Sequence, residues 1–421
     1  MTAPFLLLLA FLTSGAQASP ASRAAQTEED EYTRYELLAP DSQQFAIVYD
    51  VTATRAGARY YFNPIRKGSE ATDERVIDLM SGEALKFDVV SGQEARATGH
   101  PTAEPDTSYI RIHLPRPVPP EGEVRLRIWK TYKDPKSYYR QGDLIVFDRP
   151  LGIRRNAVVL PRGYELVACN VPSQVLQESD GRIKISFMNP GPAAAPLVVR
   201  ARPLPSGAAV EPPSGAAARL ARDGSTALIP TPAARLTERA FQDREIVYFL
   251  QQPETHAFSL YHDYTETREG IDKYLNVVRA GSTVSNPSAR VLDTGETLKV
   301  DTLRGRAITA AGLDIGEPVT DASEVVVVRF PAVRKGQSLR LRISETYTDP
   351  ARYRLDGDRL VWDRAFGRPR NTVVLPEGWY LLDSAIPAVV SLTEDGRVRL
   401  YFENNRPDEI ATLIRAARRS R

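Results

Sequence analysis

The chain carries one stretch of sequence twice. Residues 124–189 align with residues 339–404 without a gap, at a constant offset of 215, and 30 of the 66 aligned pairs are identical. A further match lies upstream at an offset of 213, where the run beginning at Asn63 corresponds to the run beginning at Asn276. Self-similarity over such a length is the mark of a structural unit that is used more than once. The sequence therefore predicts two copies of one module in tandem.

Composition sets the limits of these copies. The segment from 206 to 240 is rich in Pro, Ala, Gly and Ser, a composition that is typical of linkers because it buries little apolar surface. The predicted organisation is a signal peptide (1–18), a flexible N-terminal tail (19–31), a first module (32–205, with a sub-boundary near 120), the linker (206–240) and a second module (241–421, with a sub-boundary near 335).

The first residues predict export from the cell. An apolar stretch from Phe5 to Leu12 is followed by Ala16-Gln17-Ala18, the small-x-small pattern that a signal peptidase recognises. Cleavage after Ala18 would place the protein in the periplasm or outside the cell. Cys169 is the only cysteine, so no disulfide can form within the chain, and its stability must rest on burial and strand pairing.

Alternation of apolar and polar residues indicates strands. Ile183, Ile185 and Phe187 alternate with Lys184 and Ser186, which is the pattern of a half-buried antiparallel strand. An Asp-Gly pair at 180–181 precedes this strand and predicts a hairpin with a type I′ turn. Short strands separated by turn residues recur through both copies. We therefore expect an all-β fold made of a duplicated β-sandwich-type module, in which each copy forms two small sandwiches, with one large sandwich per copy as the alternative.

The net charge and the absence of known catalytic motifs argue against several classes of function. A formal net charge of +2 is too small to indicate a nucleic-acid partner, and no apolar run is long enough for a spanning helix. The copies share none of the four histidines, and neither a zinc-protease H-E-x-x-H motif nor a G-x-S-x-G nucleophile elbow is present. The sequence thus predicts no catalytic residues, no metal ligands and no cofactor.

One polar set recurs in both copies and is the candidate for binding. Each copy places arginines and an asparagine around a short connection between strands, with a tyrosine upstream. A planar guanidinium can grip an anionic or sugar ligand, and tyrosines offer stacking surfaces. The structural alternative is pairing of each arginine with its neighbouring aspartate, as in Asp148-Arg149. The candidate binding residues are Arg149, Arg155, Asn156 and Tyr138 in the first copy and Arg364, Arg370, Asn371 and Tyr353 in the second.

These patterns lead to one main functional expectation and two alternatives. In outline the chain resembles the non-catalytic sandwich modules of secreted bacterial proteins, a likeness of fold that does not imply function. Because the duplication comes without a catalytic motif, we expect an exported, non-enzymatic protein that binds a protein or glycan partner at the bacterial envelope or outside the cell. The alternatives are a secreted hydrolase with a site between the modules and a structural assembly subunit. The oligomeric state stays open.

Overall fold

The computed structural model describes residues 29–204, 238–406 and 408–419. Nearly all regular structure in these residues is β-strand, which confirms the predicted all-β class. The predicted signal peptide and all but the last three residues of the predicted linker lie outside the described residues. No helix within the described part of the chain has the length and apolar character needed to cross a membrane.

We call residues 29–204 the first half. It contains fourteen strands and one short helix, α1 (Gly92–Ala97). Its strands are β1 (Glu31–Leu37), β2 (Gln44–Ala53), β3 (Tyr60–Pro64), β4 (Glu70–Asp78), β5 (Phe87–Ser91), β6 (Ser108–His113), β7 (Val124–Lys133), β8 (Tyr138–Gln141), β9 (Leu144–Leu151), β10 (Arg155–Val159), β11 (Tyr164–Cys169), β12 (Gln174–Gln177), β13 (Ile183–Met188) and β14 (Ala195–Pro203).

We call the described residues from 238 onward the second half. They repeat the same order of elements, with α2 (Arg306–Ala310) in the place of α1. Its strands are β15 (Glu245–Leu250), β16 (Ala257–Glu266), β17 (Lys273–Val277), β18 (Thr283–Val291), β19 (Thr297–Arg304), β20 (Glu324–Arg329), β21 (Leu339–Thr348), β22 (Tyr353–Asp356), β23 (Arg359–Phe366), β24 (Arg370–Val374), β25 (Trp379–Ser384), β26 (Val389–Leu392), β27 (Val398–Glu403) and β28 (Ile410–Arg418).

Each half is built from a large, a middle and a small set of paired strands. In the first half the large sheet has the order β12-β13-β10-β1-β2-β7-β4, the middle sheet β11-β14-β9-β8 and the small sheet β3-β6-β5. The second half has the same three sets, except that β18 and β19 pair and so join the large and small sets into one ten-stranded sheet. In both halves one parallel pair, β1 with β10 and β15 with β24, lies in an otherwise antiparallel large sheet.

Alternating side chains hold the sheets together. In the first half, one core contains side chains from all three sheets, including Phe45, Ile110 and Phe147. On β7, Leu126 and Ile128 are fully buried on the core face. Arg125 and Arg127, which alternate with them, point to the opposite face, as period two requires. That opposite face is where the two halves meet.

The hairpin predicted at Asp180-Gly181 is confirmed, but its predicted turn type is wrong. β12 and β13 pair antiparallel across it. A type I′ turn needs positive φ at two successive residues, whereas only Gly181 has one, at 85°. The amide of Gly181 donates to the carbonyl of Glu178, so a tight four-residue turn ends on a left-handed glycine. The loop is longer than the predicted turn, and Gly181 alone supplies the backbone freedom it needs.

The sheets do not divide at the predicted sub-boundaries. The large sheet of the first half takes β1, β2 and β4 from before residue 120 and β7, β10, β12 and β13 from after it. The second half behaves in the same way around residue 335. The domain limits themselves stay a prediction. The predicted tail, 19–31, ends inside the fold, because Asp30 is buried and Glu31 begins β1.

Candidate functional site

The two halves meet through contacts made by equivalent segments of each half. The amide of Glu123 donates to the carbonyl of Leu292 at 3.0 Å, and the amide of Ser338 donates to the carbonyl of Met80 at 3.3 Å. The hydroxyl of Ser338 also donates to the carbonyl of Leu79 at 2.7 Å. Glu123 and Ser338 are equivalent at the offset of 215, and Leu79 and Leu292 at the offset of 213. The halves are therefore related by a pseudo-twofold axis at this contact.

Asp30 lies at the centre of this contact and joins both halves. Its carboxylate accepts two hydrogen bonds from Arg155, at 3.0 and 3.1 Å, and two from Arg370, at 3.2 and 2.9 Å. These two arginines are equivalent residues of the repeat. All three side chains are at least 90% buried. Burial alone raises the pKa of Asp30, but the charges of Arg155 and Arg370 outweigh it and hold the pKa far below its usual range.

A second pair of equivalent arginines flanks Asp30 and also reaches across the contact. Arg125 binds Asp293 of the other half through two hydrogen bonds of 2.6 and 2.8 Å. Arg340 binds Asp243 of its own half at 2.7 Å, and its Nε lies 3.4 Å from Oε1 of Glu123 in the first half. Neither of these last two atoms has a hydrogen-bond partner among the described residues.

A cleft of about 240 Å³ opens beside these groups, and we call it the central cleft. Both halves supply its walls. Its lining combines hydroxyls, carboxylates and guanidinium groups with apolar side chains that include Val51, Leu79 and Phe241. Its charged and hydroxyl-bearing residues are Asp30, Asp50, Thr52, Arg125, Arg127, Arg155, Asp243, Arg244, Thr265, Thr267, Ser338 and Arg340.

Two carboxyl groups beside Arg340 have pKa values that are shifted in opposite directions: Asp243 lines the central cleft, and Glu123 is buried next to it. Burial raises the pKa of Glu123 to about 7, more than the nearby Arg340 charge lowers it. Burial also acts on Asp243, but there the charges of Arg340 and Arg155 outweigh it and lower the pKa. Environments that separate the pKa values of two nearby acids are typical of acid and base pairs in active sites. At neutral pH Glu123 can carry a proton while Asp243 is ionised.

The structure separates the residues that the sequence nominated for ligand binding. Arg155 and Arg370 come together on Asp30, at the central cleft. Arg149 and Arg364 lie inside separate halves and pair with Asp134 at 2.9 Å and Asp349 at 3.2 Å, instead of with the aspartate that precedes each of them. A ligand-binding role for these arginines stays a prediction.

The nominated asparagines and tyrosines are bonded to backbone. Asn156 and Asn371 donate to the carbonyls of Ile153 and Arg368, at 2.6 and 2.8 Å. The hydroxyl of Tyr138 donates to the carbonyl of Leu38 at 2.9 Å, and that of Tyr353 to the carbonyl of Gln251. The rings of both tyrosines are fully buried. These four side chains therefore fix loops and strand ends in the present structure.

The residues that the sequence reasoning missed are Asp30, Glu123, Asp243, Arg125 and Arg340. A signal for some of them was present, because Arg125 and Arg340 are identical in the repeat and Asp30 matches Asp243 at the offset of 213. Neither stretch of sequence indicates that the two copies contact each other. That arrangement is what brings these side chains into one site.

Comparisons with known proteins find solved structures that resemble part of the chain. No protein-family model and no curated protein matches the chain. Solved structures similar in part include an M1 zinc metallopeptidase from Deinococcus radiodurans, with 13% identity and a TM-score of 0.29 over 42% of each chain. A variant of a two-domain M1 zinc metallopeptidase bound to L-tryptophan shows 15% identity and a TM-score of 0.28, over 42% of this chain and 43% of that one. An aminopeptidase N family protein from Idiomarina loihiensis shows 10% identity and a TM-score of 0.25, over 41% and 29%.

These neighbours correct the main functional expectation. All three are enzymes by their descriptions, which contradicts the expectation of a non-enzymatic binding protein. The chain spans less than half the length of each of these proteins. The described residues hold no group of three or more His, Cys, Asp or Glu side chains placed for a metal ion.

Proposed function

We propose that the chain is a hydrolase whose site is the central cleft between its two halves. The observation that carries the proposal is the pair of carboxyl groups on Arg340, with the pKa of Glu123 raised to about 7 and that of Asp243 lowered. Hydrolysis needs one group to take a proton from water and another to give a proton to the leaving group. The pair offers both protonation states at neutral pH.

Asp243 is the group we assign to the attacking water. Its side chain is 31% exposed and lines the central cleft. The hydroxyl of Thr265 and the guanidinium of Arg340 bind it and fix its orientation. A water bound to the exposed carboxylate oxygen would lose its proton to Asp243 as it attacks the scissile bond.

Glu123 is the group we assign as the source of the second proton. Its carboxyl lies against Arg340, which forms part of the cleft wall. Since Glu123 itself is almost fully buried, delivery of its proton requires a shift of the Arg340 side chain or an intervening water. Arg340 also supplies positive charge where negative charge develops on the substrate.

Arg244 favours a substrate with an anionic group. It lines the central cleft, where its guanidinium lies 4.6 Å from the ring centroid of Tyr264. Among the described residues no carboxylate within ion-pair distance of Arg244 is present, whereas Arg127 on the opposite wall is bound by Asp50. A carboxylate or phosphate of the substrate would form an ion pair with the Arg244 guanidinium.

A substrate survey with matched variants tests the proposal. Nitrophenyl esters, phosphates and glycosides and aminoacyl nitroanilides are incubated with the native chain, with Glu123→Gln and with Asp243→Asn. Turnover of at least one anionic substrate is expected, falling about 100-fold or more in either variant. The rate should fall as the pH rises above about 7, since the protonated form of Glu123 is needed. The exposed Asp41→Asn is the control, and no turnover on the whole panel would overturn the proposal.

We also propose that the chain is exported. The support is the apolar stretch and small-x-small pattern that end at Ala18. After expression in a bacterial host, the protein recovered from the periplasm or medium should begin at Ser19. Recovery from the cytoplasm with its first residues intact would contradict export and would leave the hydrolase proposal untouched.

A further inference from the structure

We infer that the face of the first half at this contact is a docking surface for the second half. The two halves should bind each other through it even when they are separate polypeptides. The inference is independent of the proposed activity. It rests on the reciprocity of the contact, on how closely the backbones approach, and on the places where the pseudo-twofold symmetry is broken.

Reciprocity shows that one surface is used twice. Arg125 donates to the backbone carbonyl of Ser338 at 3.2 Å, and the equivalent Arg340 faces Glu123, which is the residue equivalent to Ser338. Glu123 likewise donates to the carbonyl of Leu292, and Ser338 donates through its hydroxyl to the carbonyl of Leu79, the residue equivalent to Leu292. Contacts that exchange partners under a twofold operation are those of an isologous interface, the type through which identical subunits form dimers.

Close backbone approach leaves little room for another geometry. At Gly122, a Cβ atom would lie 2.6 Å from the carbonyl oxygen of Leu292. At Gly82, it would lie 2.7 Å from the carbonyl oxygen of Gly336. Both glycines thus allow the chain of one half to touch that of the other. Such fit belongs to a packed interface and not to two bodies tethered by a linker.

Side chains that differ between the two halves make this surface selective for its partner. Arg125 of the first half is neutralised by Asp293, but the first-half residue equivalent to Asp293 is Met80. Two first halves docked in the same way would therefore leave Arg125 facing a methionine. They would place Glu123 beside Arg125 of the other copy, as Glu123 lies beside Arg340 here. The buried two-bond pair of Arg125 with Asp293 would be lost, and such a loss at a desolvated contact disfavours the wrong partner. The first half should prefer a second half to another first half.

Severing the connection in the intact, folded chain tests the inference. A recognition sequence for a specific protease is inserted after Gly215, within the predicted linker, and the purified protein is cut. Native mass spectrometry and size-exclusion chromatography should show a one-to-one pair of fragments at micromolar concentration. Mixing with isotope-labelled cut protein should give exchanged first-plus-second pairs. Fragments that separate at this concentration would overturn the inference, and first-half homodimers in comparable amount would overturn its selectivity.

Neighbouring arginines on β7 supply a matched comparison. Arg125 binds Asp293 across the contact, whereas Arg127 binds Asp50 within its own half with the same two-bond geometry. In the cut protein, Arg125→Ala should weaken pairing by at least about thirtyfold, because a buried charge pair is broken, and Arg127→Ala should leave pairing within about threefold. Equal effects would overturn the assignment. Circular dichroism of the uncut variants establishes that each is folded, and the exchanged pair Arg125→Asp with Asp293→Arg should recover part of the affinity.

Discussion

Asp30, whose carboxylate binds arginines of both halves, gives the sharpest test of the structure. Asp30→Asn keeps the size and shape of the side chain but removes its charge. Arg155 and Arg370 then lose the anion that receives four hydrogen bonds. Because all three side chains are buried, removing one partner leaves uncompensated charge, and the expected loss in the free energy of unfolding is about 3–5 kcal/mol.

The pH dependence of this loss follows from the pKa of Asp30. The folded-state pKa is lowered, so the unfolded chain binds a proton first as the pH falls. The contribution of Asp30 to stability is therefore present above the unfolded pKa, near 4, and is lost as the pH falls through the folded value. The difference between the native chain and Asp30→Asn should be constant from about pH 5 to 8 and should shrink below about pH 4.

Urea unfolding followed by circular dichroism measures both effects. Asp41→Asn is the control, since Asp41 also pairs with an arginine, Arg140, but has 84% of its side chain exposed. We expect it to change the free energy of unfolding by less than about 0.5 kcal/mol. A loss below about 1 kcal/mol in Asp30→Asn, or an equal loss in the control, would refute the view that Asp30 holds the halves together.

Two buried groups at equivalent positions of the repeat should produce opposite pH dependences. Burial lowers the pKa of Lys130 to about 7 from 10.5. The unfolded state therefore binds more protons between these pH values, and the free energy of unfolding rises with pH by at most about 1.4 kcal/mol per pH unit. Lys130→Met should remove this rise in urea titrations between pH 7 and 10. Burial raises the pKa of Glu345 to about 7 from 4.5, so the folded state binds more protons and the stability falls across that window with the same limiting slope. Glu345→Gln, which can keep the hydrogen bond from Asn276, should abolish the fall; an unchanged profile in either variant would contradict the assignment of these groups.

Local pattern was enough to predict the strands. The alternation at Ile183, Ile185 and Phe187 corresponds to β13, and the repeat places β27 at the same point of the second half. Local pattern was not enough for the turn before β13, because an Asp-Gly pair suits both a two-residue hairpin and the end of a longer loop. The difference lies in how far the strands extend on either side. Packing decides that, and the dipeptide does not.

The candidate site could not be predicted, because its parts come from places that the sequence does not connect. Asp30 stood in a segment taken for a loose tail, and Glu123 and Asp293 stand at the ends of a strand and a turn with no motif around them. Each of these residues belongs to the candidate site only because it contacts an arginine of the other half. Sequence comparison between the copies even pointed elsewhere, since it favours residues identical in both copies, whereas Glu123 and Asp293 are residues in which the copies differ.

Divergence between the copies is thus where asymmetric chemistry can arise in a pseudo-symmetric molecule. A strict twofold contact would present two identical sets of side chains to the cleft, and a carboxyl group with its partner could not then be given two different environments. The first half has Glu123 where the second half has Ser338, and the second half has Asp293 where the first half has Met80. Glu123 is an acid of raised pKa, and Asp293 forms a buried ion pair with Arg125. The second of these differences is also the basis of the pairing preference inferred for the halves. Exchanging Glu123 for Ser should therefore alter the cleft chemistry, while the exposed Asp41→Asn, far from both differences in the sequence, should leave it unchanged.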